Sequence, residues 1–89
     1  MLESEIEIIN KLGLHARAAA KLVKVAGSYS SSIEIEKEDQ RVNAKSIMSV
    51  MMLAASRGNT IKLYVSGEDQ DDALNAVTEL VNDKFGEEE

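Results

Sequence analysis

Three stretches of the chain alternate polar and apolar residues with a period of two: Glu5-Ile6-Glu7-Ile8, Ser32-Ile33-Glu34-Ile35-Glu36 and Thr60-Ile61-Lys62-Leu63-Tyr64-Val65-Ser66. A shorter extended stretch over residues 40–43 follows the turn Lys37-Glu38-Asp39 and predicts a hairpin with the strand before it. Strands that are apolar on one side and charged on the other belong to an antiparallel sheet with one face in water. Between them the spacing becomes helical. Over residues 16–26, Ala19, Leu22, Val23 and Ala26 fall on one face, and Gly27 suits the position just past a helix end. A middle helix is expected to begin near Ser46 and to end before the turn Arg57-Gly58-Asn59. In the last helix Ala73, Leu74, Val77, Leu80 and Val81 form the stripe, with Asp69 as the expected cap and Asp71 and Asp72 favouring the positive end of the dipole.

The element order is therefore βαββαβα. It predicts an α+β fold, an open-faced β-sandwich in which a four-stranded antiparallel sheet carries three helices on one face. A chain of 89 residues fits a single domain over residues 1–89 with a thin core. The acidic run Glu87-Glu88-Glu89 reads as a disordered tail.

Composition narrows the chemistry. Cysteine is absent, which removes disulfides, thiol catalysis and thiolate metal sites, and a single histidine argues against zinc. No metal or cofactor is expected. A net charge of −6, with only two tyrosines and one phenylalanine, speaks against nucleic-acid binding. The sequence shows neither a secretory leader nor an apolar run that could insert in a bilayer, so a cytoplasmic protein is expected, and a monomer. The charge is uneven. Residues 11–28 hold Lys11, Arg17, Lys21 and Lys24 and no acid, and residues 44–66 hold Lys45, Arg57 and Lys62, again without an acid. Two basic stretches in an acidic chain suggest a face that binds anions or docks acidic surfaces.

Gly13-Leu14-His15-Ala16-Arg17 lies where the first strand has ended and the first helix begins. A histidine there faces unpaired backbone N–H groups and the partial positive charge of the helix, which is an anion site. The same field favours the neutral ring and keeps one nitrogen nucleophilic. Arg17 can give charge-assisted hydrogen bonds to phosphate oxygens, and Arg17, Lys21 and Lys24 recur at helical spacing on what is expected to be one exposed face. Gly13 allows the loop to bend tightly. There is no carboxylate pair and no nucleophile triad, so a carrier fits better than an independent enzyme.

These residues resemble the phosphorylation motif of the HPr family, the histidine-containing phosphocarriers of the bacterial sugar phosphotransferase system. A second segment, Val42-Asn43-Ala44-Lys45-Ser46-Ile47-Met48, is similar to the family's regulatory-serine segment. The resemblance implies that His15 accepts a phosphoryl group through Nδ1 from enzyme I, which takes it from phosphoenolpyruvate, and donates it to an enzyme IIA. It implies that Arg17 stabilises the phosphate, and that Ser46 is the target of HPr kinase/phosphorylase in bacteria that have one. Ser46 also suits a plain helix cap. It further implies docking through the middle helix. That helix is apolar around its circumference, so part of Ile47, Met48, Met51 and Met52 must face solvent. Lys21, Lys24 and Lys45 complete the expected partner-binding set. One position departs from the family pattern: many members have proline where this chain has Ala18, which leaves the branch of the family open. A carrier of a nitrogen-related phosphorelay, a noncatalytic paralogue and a ferredoxin-like domain sensing a small molecule are the alternatives.

Overall fold

The computed structural model describes residues 1–88. Its elements are β1 (Leu2–Glu7), α1 (Ala16–Gly27), β2 (Ser32–Lys37), β3 (Gln40–Asn43), α2 (Ile47–Met52), β4 (Thr60–Ser66) and α3 (Gln70–Asn82), followed by a 3-10 turn at Lys84–Gly86. The four strands form one antiparallel sheet in the order β1-β4-β2-β3. Placing β4 in the centre puts its Ile61, Leu63 and Val65 beside Ile33 and Ile35 of β2 and Ile6 of β1, and all six side chains are buried. The opposite residues of the same strands face water, where Glu5 pairs across from Lys62 and Glu34 from Tyr64. Tyr64 is covered even there: the Arg41 guanidinium lies 3.6 Å from its ring centroid, and its hydroxyl donates to Glu36 at 2.6 Å.

The helices cover the apolar face. Ala18, Ala19, Leu22 and Ala26 of α1 and Ala73, Val77 and Val81 of α3 are fully buried against it. Each large side chain removed from water in this way contributes about 1.5–3 kcal/mol. The expected order and faces are those observed.

The element ends differ in instructive ways. The first strand starts earlier than its alternation suggests and ends at Glu7. Ile8 leaves the ladder to exchange backbone hydrogen bonds with Gly58 and Asn59, and this turns the chain toward the helix layer. Gly27 is the last residue of α1 rather than the residue past it, and Ser28 closes the helix by donating its hydroxyl to the Val25 carbonyl at 2.7 Å. The middle helix is shorter than expected, because the chain leaves it through Leu53 and a left-handed Ala54, whose φ is 52°.

Asp69 stands at the start of α3, but its side chain caps nothing there. Its carboxylate instead accepts the backbone N–H groups of Ser30 and Ser31, each at 2.9 Å, together with the Ser31 hydroxyl. These bonds pull its carboxyl from 3.8 down to about 2, the Ser31 hydroxyl being the largest cause. Asp69 thereby ties the entry of β2 to the entry of α3.

Candidate functional site

The loop between β1 and α1 is shaped by two residues. Gly13 has φ of 65°, and a Cβ there would lie 2.5 Å from the Ala55 carbonyl oxygen, so no larger residue fits. The Leu14 N–H donates to that same oxygen at 2.9 Å, fixing the loop against the segment after α2. Asn10 is fully buried, and its amide donates to the Gly13 carbonyl at 2.8 Å. Leu14 drops into the core, and the next residue is presented at the helix start.

That residue is His15. Its backbone is extended, with φ −71° and ψ 177°, and it is the N-cap of α1. Its Nδ1 accepts the Arg17 N–H at 3.3 Å, and its side chain is 26% exposed. The other ring nitrogen, Nε2, lies 2.5 Å from a carboxylate oxygen of Glu87. A neutral imidazole has one donor and one acceptor. The carboxylate requires the proton on Nε2 and the helix N–H requires a lone pair on Nδ1, so the two contacts assign one tautomer. Hydrogen bonding from His15, and then from Asn10, holds the Glu87 carboxyl below its usual range, against the opposing effect of burial. The ring therefore presents an unprotonated nitrogen to an anion-attracting helix end.

Around it runs an open groove lined by Lys11, Leu12, His15, Arg17, Lys21, Gly86, Glu87 and Glu88. Arg17 is exposed beside His15, whereas Lys21 is half-buried because its ammonium donates to the Phe85 carbonyl at 2.6 Å. Lys24 is exposed in the last turn of α1. The expected exposed stripe on α1 is thus interrupted at Lys21. Lys45 is half-buried, and its ammonium donates to the Tyr29 carbonyl at 2.8 Å. Ala18 is fully buried in the first turn of α1.

Ser46 is the N-cap of α2, and its hydroxyl accepts the Ser49 N–H at 3.4 Å. Within α2 only Val50 is buried. Ile47 and Met51 are 38% exposed, Met48 65% and Met52 73%. None of the four belongs to the buried core, so the helix leaves apolar surface exposed. Leu12, in the groove beside His15, is equally open at 65% exposure.

Sequence patterns missed three residues of the site. Glu87 falls in the run expected to be a disordered tail, yet it contacts both His15 and Asn10. Glu89, the last of that run, lies outside the described residues. Nothing local marks Glu87, because the contact crosses 72 positions. Asn10 carries a faint signal as a turn residue three places before a glycine, and Leu12 carries none, being an isolated leucine in a loop. Among the described residues no group of three or more His, Cys, Asp or Glu could hold a metal ion, and no helix is long and apolar enough to cross a membrane.

An open-faced sandwich that presents a lone histidine on a helix start, with cations around it, has the build of a small phosphoryl-group carrier. The family model described as the PTS HPr component phosphorylation site matches residues 2–83. The chain belongs to the HPr family, the phosphocarriers of the phosphotransferase system. It is 52% identical over 89 residues to the phosphocarrier protein HPr of Neisseria meningitidis serogroup A, covering all of both chains. It also matches the crystal structure of HPr-C-His from Thermoanaerobacter tengcongensis with a TM-score of 0.96 and 50% identity, again over all of both chains. An HPr dimer crystal structure from the same organism matches with a TM-score of 0.79 over 98% of this chain and all of that one.

Proposed function

We propose that this chain accepts a phosphoryl group on Nδ1 of His15 from enzyme I and passes it to an enzyme IIA, acting stoichiometrically rather than as an enzyme. The observation that carries this is the pair of contacts on the ring, which leave Nδ1 with its lone pair toward the start of α1. The Arg17 N–H that now meets Nδ1 is placed to meet a phosphoryl oxygen once the nitrogen is occupied. The Arg17 guanidinium supplies charge-assisted hydrogen bonds worth about 1.5–3 kcal/mol each. The N–H is already in place, which keeps reorganisation small.

The docking surface is the exposed face of α2, Ile47, Met48 and Met51, joined by the exposed Lys24 of α1; Lys21 and Lys45 contribute less, since each is bonded to a backbone carbonyl. Ser46 serves as a regulatory phosphorylation site in a host with HPr kinase/phosphorylase. A phosphate there adds about −1.5 to −2 charges at pH 7. It would sit next to the exposed Ile47 and Met48, so it hinders docking of an acidic partner surface without unfolding the helix. Within this proposal the chain works as a cytoplasmic monomer formed by one domain.

The test is incubation with enzyme I and phosphoenolpyruvate, read by intact mass and peptide mapping. The expected adduct is a single phosphoryl group on the peptide containing His15, labile in acid and stable in alkali. Undiminished labelling of a His15→Ala variant would refute it.

A further inference from the structure

Transfer at Nδ1 needs Glu87 only to fix the tautomer of the resting ring and leaves open what this carboxylate does once Nδ1 is occupied. Its position is built rather than incidental. Lys84 and Phe85 both have φ of 56°, which folds the segment after α3 back on itself and drives Phe85 fully into the core. The Lys21 ammonium clamps the Phe85 carbonyl at 2.6 Å. From the other side, buried Asn10 donates to Oε1 of Glu87 at 3.1 Å while Oε2 meets Nε2 of His15 at 2.5 Å. The same Asn10 amide holds the Gly13 carbonyl, so one side chain sets both the loop that presents the histidine and the carboxylate that braces it.

Building on the carrier function above, we propose that Glu87 is a positioning residue that holds the Nε2 proton and balances the positive charge the ring acquires when Nδ1 is phosphorylated. In the accepting step the Nδ1 lone pair forms the N–P bond. The bond from phosphorus to the leaving atom of the phosphorylated donor breaks, and that atom keeps the electron pair. Nε2 retains its proton throughout, so the ring becomes an imidazolium. In the donating step the acceptor's nucleophile bonds to phosphorus and the electron pair returns to Nδ1, leaving the ring neutral again with the same proton on Nε2. Without a counter-charge the cationic ring would face Lys11, Arg17 and Lys21 in its groove, with Glu88 as the other carboxylate lining it. Glu87 is the carboxylate in direct contact, and it stays ionised because His15 and Asn10 stabilise its charged form.

The experiment uses the full chain phosphorylated by enzyme I and phosphoenolpyruvate, as parent, Glu87→Gln and Glu87→Ala. Glutamine keeps the shape and an acceptor oxygen but removes the charge. The readouts are the pH titration of the adduct's 31P signal and the thermal unfolding midpoint. The expected result for Glu87→Gln is a fall of about 0.5–1 pH unit in the titration midpoint, a roughly three- to tenfold weaker hold on the Nε2 proton, as the loss of one partly exposed charge pair implies. Glu87→Ala should fall at least as far. An unmoved midpoint in Glu87→Gln would overturn the role of Glu87, and a lowered unfolding temperature with that same unmoved midpoint would reduce Glu87 to a fastening for the turn. If the parent chain took no label at His15, the carrier function itself would fall and this inference with it.

Discussion

The start of α1 and the start of α2 are both capped by a side chain, His15 in one and Ser46 in the other, and the caps are of similar length at 3.3 and 3.4 Å. Behind the cap they differ. His15 is held on its second nitrogen by Glu87, and it opens a helix of 12 residues whose apolar stripe is buried. Ser46 opens a helix of six residues that buries only Val50. One helix start holds its side chain on both ring nitrogens, as suits a group that must be oriented to react. The other is a short support for exposed methionine and isoleucine side chains, as suits a surface that meets more than one partner. Under the proposed function, reaction and recognition occupy neighbouring helices built to different rules.

Substitutions can break this contrast. The largest effect is expected at Arg17. Arg17→Ala should slow phosphorylation of His15 or shorten the lifetime of the phosphohistidine by about tenfold or more, from the loss of one charge-assisted hydrogen bond. Its thermal stability should shift by no more than the equivalent of about 0.5 kcal/mol, because the side chain is exposed. Transfer as fast as in the parent would remove Arg17 from the site.

Met48→Glu addresses the second helix. Binding to enzyme I, measured by calorimetry, should weaken about tenfold or more, as expected when a charge is buried without a partner. Unfolding should hardly change, since Met48 is 65% exposed. If it shifted by several kcal/mol, Met48 would be core and the docking role of α2 would be lost.

Ser46→Asp carries less charge than a phosphate and should slow His15 phosphorylation by enzyme I only about two- to fivefold at low salt. The effect should fade as ionic strength rises. An Asp variant as fast as Ser46→Ala at low salt would place this helix start outside the contact.

Asp69 is a control with no direct bond to either cap, and Asp69→Asn should leave transfer to His15 unchanged. Folding lowers the Asp69 carboxyl from 3.8 to about 2. Its contribution to stability is therefore present above the ordinary carboxylate range and lost as pH falls through about 2. Thermal melts of parent and variant should differ at neutral pH and converge in strong acid.

Much of this was legible in the chain itself. The alternation in Ile61, Leu63 and Val65 and the spacing of Leu22 and Ala26 report burial directly, because apolar side chains must leave water whatever the partner. His15 and Arg17 were visible because a cap and its neighbour are local. The misplaced features are those whose partners are distant in sequence. Asp69 looked like a helix cap and proved to serve Ser30 and Ser31, 39 and 38 residues away. Gly27 is the local exception: it ends the helix without stopping it, and the next residue, Ser28, closes it through Val25. Glu87, in an acidic run with no periodicity, reaches its place because Phe85 anchors the turn before it, and no pattern of short range encodes that.

The most direct measurement of the central claim is the 31P–15N coupling in uniformly 15N-labelled protein after phosphorylation by enzyme I and phosphoenolpyruvate. The expected spectrum shows phosphorus coupled to Nδ1 of His15, with Nε2 still carrying its proton. Phosphorus coupled to Nε2, or attached to any other residue, would contradict the arrangement in which Glu87 guards one ring nitrogen and the start of α1 receives the phosphoryl group on the other.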